Sequence, residues 1–285
     1  MTPKDLPSFY SASDAASNQA QRRYIRGLKV HLALLVGTAA VGGISTTEPA
    51  YRNALTIVVV ALMLAALVLG ILLRQARLDD RWFQCRAFAE NSKSAAWRFM
   101  VLANVSETEF LRDLQEIRDR FTEVALDLAE QRPKGEEITT LMRDQRRGTL
   151  AERLTVYRDE RIEEQREWYR ARAQENARAE NIWFMLVLVA EVVAIAIAAL
   201  AGPFGWTFNP TGAVAALAAA LLAWTQTKRF SDLAVSYTVA AQDLSLLSAR
   251  ATAVTDDDAL ERLVADTENA ISREHRLWFA RRGHR

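Results

Sequence analysis

Cysteine is nearly absent from this sequence. Cys85 is the only one in 285 residues, so no intrachain disulfide can form, and nothing points to an oxidising compartment. Histidine is scarce too: His31, His275 and His284 are the three, and none stands at metal-ligand spacing from another or from Cys85. No glycine-rich phosphate loop and no serine in a nucleophile-elbow context occurs. These absences argue against an enzyme, a metal centre and a bound cofactor. Net charge is also missing: 36 Lys and Arg are interleaved with 35 Asp and Glu, leaving no basic patch for a nucleic-acid backbone. The first 27 residues are polar and contain Pro3 and Pro7. No small-residue cleavage pattern follows the first apolar run, so no cleavable signal peptide is expected.

What is present is segregated. Half of the residues are hydrophobic and a quarter are charged, and the two sorts occupy different stretches, which predicts apolar spans joined to solvated helices. Four runs are long enough to cross a bilayer core of roughly 30 Å. They cover about 28–47, 54–73, 182–202 and 211–227, and they pair into two hairpins. Arg22, Arg23, Arg26 and Lys29 precede the first, Arg74 and Arg77 follow the second, Arg172 and Arg178 precede the third, and Lys228 and Arg229 follow the fourth. The hairpin loops carry only Glu48 and Arg52, so both termini are expected on the cytoplasmic side. Residues 1 to 8 read as a disordered start, followed by a helix over 9–29.

Apolar residues continue at four-and-three spacing beyond the second run. Leu78, Trp82, Cys85, Ala89, Ser92, Ala96 and Phe99 predict that the second span runs on as one long helix with a coiled-coil-like stripe. Ser106 with Glu109 and Thr149 with Glu152 are capping boxes. The first opens a helix striped by Phe110, Leu114, Ile117, Phe121, Val124 and Leu128. The second opens a charged helix of about fifty residues that runs into the third span. After the fourth span, Phe230, Leu233, Tyr237, Ala241, Leu244 and Leu247 mark another stripe, and a last helix follows Thr255, where acidic residues complement its positive end. The expected fold is all-α: four transmembrane helices and a coiled-coil-like bundle of long cytoplasmic helices. Arg132, Pro133, Lys134 and Gly135 form the clearest break, which divides the chain into 1–131, a linker at 132–148, and 149–285. Phe9-Tyr10-Ser11-Ala12 ahead of one hairpin is echoed by Trp168-Tyr169-Arg170-Ala171 ahead of the other, as two copies of a two-span unit would be.

The third run carries one carboxylate, Glu191, near its middle. An ionisable group at that depth costs several kcal/mol, which makes it a candidate for pore lining or gating, with protonation or hydrogen bonding inside a bundle as the structural alternative. His31, near the basic end of the first span, is a weaker candidate at the interface. Small residues recur every four positions at Ala190, Ala194, Ala198 and Gly202, and at Gly212, Ala216 and Ala220, and they predict close contact between spans or subunits.

Residues 86–100 resemble the DUF4231 signature through Ala89, Glu90, Lys93, Trp97 and Arg98, with departures at Asn91, Ser92 and Phe99. The final helix is similar to the closing helix of SLATT domains, two-span modules named for association with bacterial second-messenger and SLOG sensor systems, through Glu268, Ile271, Glu274, His275 and Trp278. The resemblance implies a tandem pair of SLATT-type units in the bacterial inner membrane, forming a pore when a cytoplasmic sensor partner detects infection or stress. Glu90 with Lys93 and Trp97 with Arg98 suit helix packing equally well. Four spans are too few to enclose a generous water path, so conduction requires a homo-oligomer in the lipid bilayer, with Glu191 repeated as a cation-favouring ring. The alternative is a non-conducting scaffold that binds a soluble partner, and a proton-coupled transporter is disfavoured by the unbroken spans.

Overall fold

The computed structural model describes residues 2–44, 48–125, 135–204 and 210–280, with the backbone alone at 3, 201–204 and 273–280. No strand occurs among them. The helices are α1 (Ser8–Gly42), α2 (Pro49–Gln75), α3 (Leu78–Val101), α4 (Glu107–Arg120), α5 (Thr140–Arg146), α6 (Leu150–Tyr157), a π-helical turn (Arg158–Glu163), α7 (Glu164–Phe204), α8 (Thr211–Lys228), α9 (Phe230–Ala251) and α10 (Asp257–Ala280). Three helical runs, Ser8–Gly42, Pro49–Val101 and Leu150–Leu200, are long and apolar enough to cross a membrane.

The chain forms two compact units. One comprises Met1–Gln21, Asp79–Gln174 and Ala234–Arg285; the other comprises Arg22–Leu78 and Glu175–Leu233. The first is a helical bundle around a continuous buried core and is called the soluble unit below. Of its stripe positions on α3, Cys85, Ala89, Ser92, Ala96 and Phe99 are buried, together with Ala87, Phe88, Ala95, Trp97 and Met100 off the stripe; Phe110, Leu114 and Val124 are buried as well. Leu128 lies outside the described residues. Both capping boxes form: Glu109 N–H donates to Ser106 Oγ and Glu152 N–H to Thr149 Oγ1, while each glutamate returns a bond to the cap backbone. Asp256 Oδ1 accepts from Ala259 N–H at 2.7 Å to start α10.

Several local expectations change. The start is ordered from Thr2: a single 3-10 turn covers Pro3–Asp5, Leu6 is buried, and Thr139 Oγ1 donates to the Asp5 carbonyl at 2.9 Å. Arg52, expected in a hairpin loop, lies inside α2, because Pro49 occupies a first-turn position where its missing N–H costs nothing. The stretch 140–146 is helical, and its Arg146 donates to the carbonyls of Phe99, Leu102 and Ala103 at 2.8–3.0 Å, satisfying the end of α3. The second span does not continue without a break. Arg77 turns left-handed (φ 42°) between α2 and α3, and Arg229 does the same (φ 51°) between α8 and α9.

The second unit holds the apolar helices. The α2 side chains Ile57, Met63, Leu64, Leu67 and Leu72 are all more than half exposed, a surface that water would not tolerate. Leu73 approaches Gly27 so closely that a Cβ there would meet Leu73 Cδ2 at 2.4 Å. His31 Nδ1 lies 3.1 Å from the Ala66 carbonyl, joining α1 to α2. Lys29 and Lys228 place their ammonium groups 5.2 and 5.8 Å from the Trp224 ring, and Trp183 lies 5.8 Å from the same ring. These contacts bring the basic ends of all four apolar helices to one level.

Candidate functional site

Glu191 sits on α7 and is exposed on the single chain, while its neighbour Ala190 is buried. It lines a groove of about 740 Å³ together with Leu188, Phe184 and Asn181 of α7 and Leu222, Thr225 and Gln226 of α8, and Arg229 and Asp232 follow at the basic end. Thr225 turns its hydroxyl back to the Leu222 carbonyl at 2.8 Å, which satisfies the donor and leaves the oxygen able to accept another bond. Arg229 is held by Asp232, its Nη2 donating to Oδ2 at 2.6 Å. The groove thus runs from a mid-span carboxylate, past a hydroxyl and an amide, to a charged mouth. Such a series can substitute for parts of a hydration shell.

A second polar arrangement lies in the core of the soluble unit. Arg161, on the π-helical turn, is 1% exposed and bonds Glu268 of α10 twice, Nε to Oε1 at 2.9 Å and Nη2 to Oε2 at 2.6 Å. Tyr157 donates to Oε1 at 3.0 Å and Ser94 of α3 donates to Oε2 at 2.6 Å. Burial lowers and Glu268 raises the guanidinium pKa, and the net direction is upward. Tyr157 is held well above the ordinary phenol value by burial and by Glu268. A ladder of charges continues along α3: Arg86 pairs with Glu90 at 2.7 Å and with Asp14 at 3.2 Å. Lys93 lies over the Tyr10 ring, and burial, then Arg161, pulls its pKa down. The arrangement ties α1, α3, the π turn and α10 together.

Residues 7–154 match the family model described as SMODS and SLOG-associating 2TM effector domain 3, and residues 157–278 match that of domain 1. The first match alone covers more than half of the chain. The protein belongs to the SLATT family. No curated protein and no solved structure shows a significant match. The SLATT domains occur in tandem and interleave, because each compact unit draws segments from both matched regions.

Within this SLATT pair, the sequence candidates separate into two groups. Glu90, Lys93 and Trp97 belong to the polar ladder and its border: Trp97 is 1% exposed and packs edge-on to Tyr157 at 5.8 Å. Arg98 points outward, 3.7 Å from Asp113. Tyr169 is buried and Trp168 is 37% exposed, and both rings lie within 5.6 Å of Tyr237. Phe9 likewise packs on Phe88 at 5.9 Å, so in each half the aromatic ahead of a hairpin rests on the helix after it. Glu274, His275 and Trp278 lie on α10, their side chains outside the described residues. His31 faces α2 and is not among the residues that line the Glu191 groove. Of the small residues, Ala190 is buried, Ala194, Ala216 and Ala220 are half-buried, and Ala198 is exposed. Gly212 has open space where a Cβ would stand, and Gly202 is described as α7 backbone only.

Arg161 is the residue that sequence reasoning missed. It stands in RDERIEEQRE, which reads as a solvated charge run. A usable signal was the row Arg153, Tyr157, Arg161, four residues apart, which puts two arginines on the face that carries core side chains.

Proposed function

We infer that this chain is a membrane effector that assembles from several copies into a cation-conducting pore, gated from its soluble helical unit. The carrying observation is Glu191: a carboxylate exposed on one chain, in the apolar part of α7, within a groove that also offers Thr225 and Gln226. Leaving such a group against lipid costs several kcal/mol, and a shared water path removes that cost. Four spans are proposed, with α8 as the fourth. Its 18 residues extend about 27 Å at 1.5 Å per residue, close to the thickness to be crossed.

The clustering of Lys29, Lys228 and the tryptophans at one level supports a common cytoplasmic side for the basic ends, hence both termini inside the bacterial inner membrane. Two SLATT units, 1–131 and 149–285, then each contribute a hairpin. The soluble unit receives the signal of a sensor partner, and α7 carries it, since that helix belongs to the bundle up to Gln174 and to the apolar unit beyond it. No catalytic step is assigned. Purified chain in liposomes tests the reading: potassium efflux that depends on protein supports it, and tight vesicles containing assembled protein under every activating condition overturn it.

A further inference from the structure

Helix α9 is apolar on two opposite faces. One face, with Ala240, Leu244, Leu247 and Ala251, is buried in the soluble unit. The other presents Val235, Val239, Gln242, Leu246 and Ala249, all exposed, with Val235 at 65%, Val239 at 49% and Leu246 at 69%. The remaining large apolar side chains exposed in the soluble unit, among the described residues, are Leu111, Leu141 and Trp168, at 41% or less. The three most exposed therefore share one stripe. A helix apolar all round is normally covered all round.

The spacing of that stripe suits a single partner helix. Positions 235, 239, 242, 246 and 249 follow steps of four, three, four and three, the seam of a two-stranded coiled coil, whereas packing into a broad groove uses a wider face. The seam contains no ionisable residue, so a copy of itself meets no like charge. Its flanks agree. When two copies run parallel, as helices that both follow the same span do, Thr238 of one faces Asp243 of the other, and Ser245 faces Arg250. Neither pairing opposes like charges. Gln242 at the centre supplies one polar register mark.

We propose that the outward seam of α9 is a parallel self-association surface, and that a second copy of this chain covers it. The proposal rests on the oligomeric reading above and deepens it by naming the contact in the soluble unit. Cysteine cross-linking tests it, because Cys85 is buried and is the only native thiol. In a Cys85→Ser background reconstituted in liposomes, Gln242→Cys should oxidise to a species of twice the chain mass, while Glu261→Cys on the exposed face of α10 should stay single. Adding Leu246→Glu should abolish the Gln242→Cys product, and these exposed sites leave the core intact. If the Gln242→Cys product does not form while protein of native mass-per-particle remains oligomeric and leaks potassium, the seam is overturned and the pore stands. If particles are monomeric, both fall. A cross-link at Glu261→Cys equal to that at Gln242→Cys also overturns the seam.

Discussion

Glu268 accepts hydrogen bonds from Arg161, Tyr157 and Ser94 in the interior of the soluble unit, so its charge is what makes a buried guanidinium tolerable. Glu268→Gln should lower the stability of the soluble unit by about 3–5 kcal/mol, since an uncompensated buried charge is left behind. The pair Arg161→Met with Glu268→Leu should cost much less, because both charges leave together. Denaturation in detergent followed by circular dichroism compares them, and equal losses would contradict the pairing argument. The phenols make a second prediction. Burial and Glu90 push Tyr10 up to about 12, from an ordinary 10.0. An unfolded tyrosine ionises first, so the stability from keeping Tyr10 neutral is complete below pH 10 and is lost as pH rises through about 12. Tyr10→Phe should therefore flatten the alkaline loss of stability between those values.

At the scale of elements, the two left-handed arginines mark equivalent places, one between α2 and α3 and the other between α8 and α9. Side chains with a Cβ pay for that conformation by about 1–2 kcal/mol, and β-branched ones pay more. Arg77→Gly should be tolerated, whereas Arg77→Val should lower the thermal midpoint relative to it. Equal midpoints would remove the strain. These breaks were not legible in the sequence because Leu78 and Trp82 keep the helical spacing across Arg77, and periodicity reports faces, not a single dihedral. The helices themselves were legible: both capping boxes, the α3 and α4 stripes and the start of α10 follow from local chemistry that tertiary packing reinforces. Arg161 escaped because a charged side chain in a charged run carries no local sign of burial. Its partner lies 107 residues away, and only the packing of α10 against the π turn brings them together.

At the scale of the molecule, tandem SLATT domains pool their helices by environment: soluble segments join one unit and apolar segments the other, so neither unit corresponds to one domain. The all-helical character was legible because hydropathy separates the two environments directly. Which residues Glu191 would share a groove with was not, since the α7–α8 register depends on Trp183 meeting Trp224 in space. In the proposed pore, Glu191 is the carboxylate that selects cations. The most direct test is the reversal potential of reconstituted chain in a planar bilayer under a potassium chloride gradient. The wild type should show a cation-selective potential, and Glu191→Gln, which keeps size and removes charge, should move it toward zero by most of its value. An unchanged cation preference in a conducting Glu191→Gln chain would contradict the account.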